Sequence, residues 1–430
     1  MATIILQSLG VAAEAAFGSI VAGTGTVPVS GNGMSYAMLE FDRASFYDNQ
    51  ATEVNERDEG RMAAYALPAE PVTMFASGTR IQRRTGEISV TMSWRTIGAA
   101  SAYANYAASP MGRLLDSCLG GHTPLASTDT VASGVNTTNF NASAGGKYTE
   151  GELIAAPIAG RREYSAVTDV ETADITHSPA FSAGLSDEAV RLCETYTAPN
   201  VPSAVGASVG LRFDGDGLRF YAYGCRVSTI RWYHVNGKVL ADLTIRCAII
   251  QDDDSNASLA DPTRMDGEVA HSIGSYMVYA PTSTTGIGTT TFVGGVAGLT
   301  RATMDVSDWE VTYAVTLAKQ GSTETVIGYA DLEVTDWSAT GSMTMTADAN
   351  FANLRRDQIQ KSILLGWSPT LAGNGGCLYF PAANITSDSL PSEGEDSRQV
   401  RVITFSAGQW TLDDATAAPA DTNFRVGCPL

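Results

Sequence analysis

Apolar and polar residues alternate with a period of two at two places far apart in the chain. Ile88, Val90, Met92 and Trp94 alternate with Glu87, Ser89, Thr91 and Ser93. Met343 and Met345 alternate with Ser342, Thr344 and Thr346. Successive side chains of a strand point to opposite faces, so each run predicts one buried and one polar face. Each run opens on a glycine, Gly86 or Gly341. Aligning on it sets G-E-I-S-V-T-M over G-S-M-T-M-T-A.

The elements around the two runs follow one order. After the first, Ser109 can cap a helix, Pro110 suits its first position and Gly120-Gly121 can end it. Met111, Leu114, Leu115, Cys118 and Leu119 form one apolar stripe at helical spacing. After the second, Asn350 can cap and Gly366 can stop a helix whose stripe is Phe351, Leu354, Ile359 and Ile363. Two strands follow in each case. In the first copy they are Tyr221 to Trp232 and Val239 to Ile250. The turn between them contains Asn236-Gly237, a strong hairpin signal because both residues tolerate positive φ. In the second copy they are Leu378 to Thr386 and Val400 to Ser406, joined by the loop Ser387 to Arg398. Upstream, Met34 to Tyr47 precedes the first run. Trp309 to Ala318 and Gly328 to Trp337 precede the second. The pattern predicts a mainly β protein built as a tandem duplication.

The copies differ by an insertion. Gly120 to Tyr223 spans 103 positions and Gly366 to Tyr379 spans 13. The excess lies in a Ser/Thr/Ala/Asn-rich stretch at about 122–210. That stretch reads either as a surface excursion with short strands of its own or as a mobile arm. The expected organisation is an N-terminal segment (1–33), a first domain (34–255) carrying the insertion, and an acidic linker (256–268). A second domain (269–410) and a tail (411–430) complete it.

Composition narrows the chemistry. The 46 acidic residues exceed the 27 basic ones and leave a formal charge of −19. Gripping phosphate backbones needs Lys and Arg, so a chain this acidic does not bind nucleic acid tightly, although it could surround DNA without sticking to it. No apolar run approaches the roughly 20 residues of a membrane-spanning helix. The first residues lack a basic stretch and resemble no signal peptide. Six scattered cysteines, with no CxxC, read as free thiols.

Candidate motifs dissolve in their context. Gly206-Ala207-Ser208-Val209-Gly210 matches the nucleophile elbow G-x-S-x-G, but a strand pattern follows where the elbow needs a helix. His122, His177, His234 and His271 lack zinc spacing. Asp252-Asp253-Asp254 begins like a calcium loop, yet Ala257 and Thr263 stand where glycine and glutamate are required. Tyr221, Tyr223, Trp232 and Tyr233 could stack on bases, and core packing is the plainer reading. The residues therefore predict no enzyme, no metal and no cofactor.

The order of elements resembles the tail tube proteins, or major tail proteins, of long-tailed bacteriophages, in the variety with two tube domains in one chain. The stretches that carry the resemblance in the first copy are Ser8 to Gly18, Gly86 to Trp94 with Leu114 to Gly120, and Tyr223 to Ser228. In the second they are Gly341 to Thr346 and Leu378 to Pro381. The resemblance covers about three quarters of the chain. It implies two tandem β-barrel or sandwich tube domains, each with one short α-helix, and inner strands that close a ring-wide barrel. It also implies a virion protein assembled in the host cytoplasm. Its partners would be other copies of itself in trimeric, pseudo-sixfold rings stacked into a tube, the tape-measure protein, and the tail terminator and tail-tip proteins. Viral DNA would pass through the lumen without sequence-specific binding. A capsid decoration or tail-tip protein, or a secreted carbohydrate-active protein, are the rival classes.

Two residue sets follow. The polar faces of the paired runs, Glu87, Ser89, Thr91, Ser93, Ser342, Thr344, Thr346 and Asp348, are expected to line the lumen. Few basic residues interrupt this face. In the alternative, the hairpins at 223–250 and 378–406 line it and the paired runs lie outside. The long connection from Asp48 to Pro71, carrying Glu53, Glu56, Arg57, Asp58, Glu59 and Arg61, is expected to dock on the next ring.

Overall fold

The computed structural model describes residues 8–14, 36–39, 41–49, 85–94, 105–134, 136–158, 160–199, 205–215, 218–252, 263–264, 276–281, 306–321, 329–346, 361–367, 375–388, 392–393, 399–410 and 419–429. Strands dominate these residues. In chain order the first elements are β1 (Ser8–Ala13), β2 (Arg43–Asn49), β3 (Thr85–Ser93) and helix α1 (Pro110–Asp116). The insertion contributes β4 (Thr128–Gly134), β5 (Asn139–Ala142), β6 (Leu153–Ile158), β7 (Arg161–Glu171), β8 (Asp174–Ser178) and β9 (Ala189–Thr197). Then come β10 (Val209–Gly215), β11 (Leu218–Val235) and β12 (Lys238–Cys247). The rest are β13 (Tyr276–Pro281), β14 (Val306–Gly321), β15 (Tyr329–Thr346), β16 (Lys361–Trp367), β17 (Gly376–Asp388), β18 (Gln399–Ala407) and β19 (Arg425–Pro429).

One order of antiparallel pairing occurs twice. The first set runs β1-β10-β11-β12-β3-β2. The second runs β13-β16-β17-β18-β15-β14. Two irregularities also coincide, whereas three shifts in the β14–β15 ladder have no counterpart in the β2–β3 ladder. The β11–β12 ladder shifts register between Val227 and Thr229, and the β17–β18 ladder between Ile385 and Ser387. The β10–β11 ladder shifts between Val209 and Leu211, and β16–β17 between Lys361 and Ile363. The two sets are joined by a ladder in which Thr229 to Tyr233 of β11 pair with Ala314 to Glu310 of β14. The result is one continuous sheet, β2-β3-β12-β11-β14-β15-β18-β17.

The alternation predicted for β3 is borne out. Ile88, Val90 and Met92 are buried on one face. Across the sheet that face continues through Leu243, Ile245, Ile230, Trp232, Val311, Tyr313, Met343 and Phe405. The turn at Asn236 and Gly237 has both φ angles positive, 50° and 77°, as a tight two-residue hairpin of right-twisted strands requires. Helix α1 closes over the apolar face. Ser109 Oγ accepts from Gly112 N at 3.1 Å, which satisfies an orphan amide of the first turn. Met111, Leu114, Leu115, Cys118 and Leu119 are all buried. Beyond the helix, Ser117 Oγ accepts from Val227 N, and the Cys118 carbonyl accepts from Tyr313 Oη at 3.1 Å. Arg226 then ties three segments together. Its guanidinium donates to the carbonyls of Ser117 and Gly206 and pairs with Asp331 at 3.3 Å.

Four expectations are corrected. The helix ends at Asp116 with Ser117 as its cap, and Gly120–His122 is a short strand. The second stripe misreads its last member, because Ile363 lies in β16. There Ser362, Ile363, Leu364 and Leu365 are buried on both faces, and a short run buried all round reads as well for a strand as for a helix. Residues 350–360 of that predicted helix lie outside the described residues. The runs expected at Gly328 to Trp337 and Gly341 to Thr346 belong, from Tyr329 on, to one strand, β15, which pairs with β14 almost from end to end. The repeat register is also two residues off. Ile245 pairs with Ile88, and the corresponding Phe405 pairs with Gly341, so Gly341 matches Ile88 and not Gly86. The shift is even, so the faces are unchanged. Its cause is steric: a Cβ on Gly341 would stand 2.3 Å from the Phe405 ring. A large residue on one strand is accommodated by a glycine opposite, where the first set has two isoleucines.

The insertion has strands of its own, as one of its two readings expected. The pairings β4-β5-β8-β7-β6-β9-β4 close a ring of six strands. Phe140, Ile154, Val167, Ile175, Val190 and Leu192 fill a core separate from the main one. A seam of Leu153, Tyr164, Ala166, Cys193, Leu364, Cys377 and Tyr379 joins it to β16 and β17. The stretch read as a tail supplies the stitching, because β19 lies between β9 and β17 and pairs with both. Arg425 is fully buried there and donates to the Gly151 carbonyl.

Two carboxyls are buried at this junction. Burial pushes the Glu194 carboxyl up to about 7, against the opposing effect of donors on Tyr196 Oη and the Tyr106 and Ala107 amides. Burial pushes Glu152 up to about 8.

Two predictions follow from packing and burial. Gly341→Ile overpacks the core against Phe405 and destabilises the fold by about 1–3 kcal/mol in denaturant unfolding. Adding Phe405→Ile, which recreates the Ile88–Ile245 pair, recovers most of the loss; a purely additive double variant would contradict this packing. The second concerns pH. A carboxyl whose folded pKa is raised contributes stability that is fully present below its unfolded value, near 4.5, and is lost as pH rises through the folded value. The thermal midpoint should therefore fall between pH 5 and pH 8. Glu194→Gln should flatten that slope and raise the midpoint at pH 8; an unchanged slope would show that Glu194 does not ionise in that window.

Candidate functional surface

Cross-strand partners in a ladder share a face, so the side chains opposite the buried core form one surface across the eight strands. No described element covers it. Glu87, Ser89 and Thr91 are on it from β3, and Ser342 and Thr344 from β15. The structure thus brings together residues about 255 positions apart in the chain. Ser93 departs from the pattern: it is buried and donates to Asp42 Oδ2 at 2.8 Å. Thr346 belongs to β15, where its backbone faces Val400. Asp348 lies outside the described residues, as do Glu53, Glu56, Arg57, Asp58, Glu59 and Arg61.

Strands β3 and β15 lie in one sheet with the hairpin strands β11, β12, β17 and β18, so the two sets that were set against each other as lumen candidates share one surface.

Two arginines on this surface meet acids. Arg231 bridges Glu310 at 2.6 Å and Asp242 at 3.6 Å, and it lies 4.7 Å above the Tyr233 ring. The hydrogen bond that it donates to Glu310 raises the Arg231 pKa further. Arg246 faces Glu87 at 3.6 Å. These two arginines are thereby neutralised in place, and Ser89, Thr91, Ser342 and Thr344 add hydroxyls. Half of the Arg231 cluster was readable in the sequence. A two-residue turn at Asn236-Gly237 sets Val235 opposite Lys238 and, by counting back, Arg231 opposite Asp242. Glu310 was not, because it arrives only through the β11–β14 ladder.

The other candidate features are structural. Tyr221, Tyr223 and Trp232 are buried, and Tyr233 alone of the four aromatics reaches the polar surface. Ser208 donates to Glu14 and is followed by β10, so the G-x-S-x-G stretch forms no strand-to-helix elbow. All six cysteines are free and buried. Burial pushes the thiols of Cys118, Cys193, Cys225 and Cys428 up, away from the reactive thiolate. No helix among the described residues is long and apolar enough to cross a membrane.

Among the described residues the sheet ends in two open edges. On β2, β3 pairs along one side, and no described strand pairs along the other. On β17, Asn384 to Asp388 pair with β18 on one side, while β16 on the other reaches only Ala383.

No protein-family model and no curated protein sequence matches the chain.

Proposed function

We propose that this chain is a structural virion protein, a ring-forming subunit with two tandem tube domains that stacks into the hollow tail tube of a bacteriophage. The observation that carries the reading is the doubled pairing order, with its two sets already fused side by side by the β11–β14 ladder. A subunit that contains two equivalent units and one junction between them is two sixths of a pseudo-sixfold ring, so three chains complete it. Eight strands from each of three chains supply the inner sheet.

The polar surface suits the inside of such a ring. Arg231 and Arg246 on it are held by acids and the chain is strongly acidic, so it offers DNA phosphates little to grip. The lumen would enclose the tape-measure protein during assembly and conduct DNA during ejection. Tail terminator and tail-tip proteins would bound the stack at its two ends. Stacking is a heterologous contact, which propagates into a filament.

Negative-stain microscopy of the purified protein tests the reading: it should show hollow rods whose cross-sections contain three chains. Solid particles, or six chains per ring, would refute it. The 52–61 segment is the proposed contact between rings. Its deletion should leave folded subunits and isolated rings that no longer stack; normal rods from that deletion would remove the segment from the inter-ring contact.

A further inference from the structure

The repeat sets two cysteines face to face. In the first unit Val227 of β11 lies opposite Ile245 of β12, next to the register shift at Ser228, and Arg226 lies opposite Arg246. In the second unit Ile385 lies opposite Phe405, next to the matching shift at Thr386. Two steps further along each ladder stand Cys225 and Cys247 in the first unit, and Ala383 and Ala407 in the second. The two alanines are direct cross-strand partners. The two cysteines are buried and share a hydrogen bond. From this juxtaposition we infer that Cys225 and Cys247 are a dithiol that a small-molecule disulfide converts into a cross-strand disulfide, a redox-controlled staple of the first unit. The inference is independent of the tube reading.

The ladder geometry suits the bond. Gly408 N donates to the Ala382 carbonyl at 2.6 Å, just outside the Ala383–Ala407 pair. That marks the pair as one whose own amides and carbonyls do not bond each other. In such pairs the Cα atoms are about 4.5 Å apart, within the roughly 4.4–6.8 Å that a disulfide spans. The first unit departs from this pattern only beyond the cysteines, where Gly224 has a φ of 59° and Ala248 N bonds the Tyr223 carbonyl. Glu14 holds that turn, accepting from Gly224 N at 2.9 Å and from Ser208 Oγ.

The position gives the staple its effect. From Arg226 onward β11 pairs with β12, and from Tyr223 backward it pairs with the strand Ile249–Asp252. The cysteines stand at the change-over, so a bond between them fixes the corner at which β11 leaves the main sheet. Cys193 and Cys428 offer no such pair. Cys193 faces Pro429 and Cys428 faces Glu194, so their side chains point to opposite faces of the β9–β19 ladder.

The exchange balances. One cysteine thiolate attacks the reagent's S–S bond, forms a mixed disulfide and expels one thiolate. The other cysteine attacks the cysteine sulfur of that mixed disulfide, closes the new bond and expels the second. Two cysteine thiols are oxidised, one reagent disulfide is reduced to two thiols, and the two protons pass to the leaving groups. Burial, the hydrogen bond with Cys247 and the nearby Glu14 hold the Cys225 thiol protonated. Exchange therefore waits on local opening or precedes closure of the core.

Oxidised glutathione on the full chain tests this, applied at about pH 8.5 both in sub-denaturing urea and during refolding. The product should be about 2 Da lighter, with tryptic peptides 220–226 and 247–264 joined and released again by dithiothreitol. Closing the loop should shift the unfolding equilibrium in denaturant toward the folded state by on the order of a hundredfold. Cys225→Ala with Cys247→Ala, which copies the alanine pair of the second unit, should fold and show neither change. Both thiols still free to alkylation after either treatment, glutathione adducts that never resolve, or preferential linkage of another pair such as Cys193 with Cys428 would overturn the dithiol. A link that leaves the denaturation midpoint unmoved would overturn the staple.

Discussion

The ladder between β11 and β14 is the contact on which the rest of the architecture depends. Without it each set of strands would present two raw edges, and each apolar face would need its own cover. With it the two faces become one. Trp94 lies against Trp232 and Trp367, and Trp367 stacks on Trp309, so tryptophans from both sets share one core. A continuous apolar face forces a continuous polar one, because each strand alternates. The polar surface is therefore a consequence of how the core is joined, and the Arg231–Glu310 pair sits directly over that join.

The opposite side carries the polar groups that cost most to bury. Arg226 satisfies two orphan carbonyls and meets Asp331, which is a third exposed and so adds little beyond positioning. Glu152 and Glu194 are different. Neither has an ion-pair partner among the described residues, and both resist ionisation, so they detract from stability at neutral pH and above. They lie close to where the insertion is stitched to the main sheet by β19. Hydrophobic contact along Leu153, Tyr164, Leu364 and Tyr379 must outweigh them for the insertion to stay seated.

What was legible in the sequence was local. The alternation at Ile88 to Trp94, the hairpin at Asn236-Gly237 and the helix between Ser109 and Asp116 each depend on a few neighbouring residues, and each was found. Errors arose where tertiary context decides. Ile363 fits a helical stripe on spacing alone, but β17 and β13 flank it and make it a strand. The Gly86–Gly341 alignment matched two glycines by identity. The glycine at 341 answers a phenylalanine on the next strand, which no window along the chain can show. The insertion looked poor in apolar runs because its core residues come from six short strands that meet only on folding. Of the polar surface, the β3 and β15 faces were readable, and the β11–β14 ladder that joins them in one sheet was not.

The coincidence of the irregularities bears on assembly more than the coincidence of the strands does. A bulge increases local twist and bends the strand that carries it. The rotation from one unit to the next along a sheet is set by accumulated twist, and a closed sheet demands that those rotations sum to a full turn. Two units with the same strand order but different bulges would turn by different amounts. Here Ser228 and Thr386 occupy the same place in the two ladders, and the second pair of shifts, near Val209 and Lys361, also agrees. Core residues have meanwhile been exchanged freely, with Ile88 and Ile245 in one unit and Gly341 and Phe405 in the other. Side-chain volume can vary at such a site if its partner compensates, because only the local packing is at stake. Twist has no local compensation: in a sheet that repeats such units, an error in one would be added at every repeat. The features held in common between the units are thus the ones that a repeating, closed arrangement is least able to change.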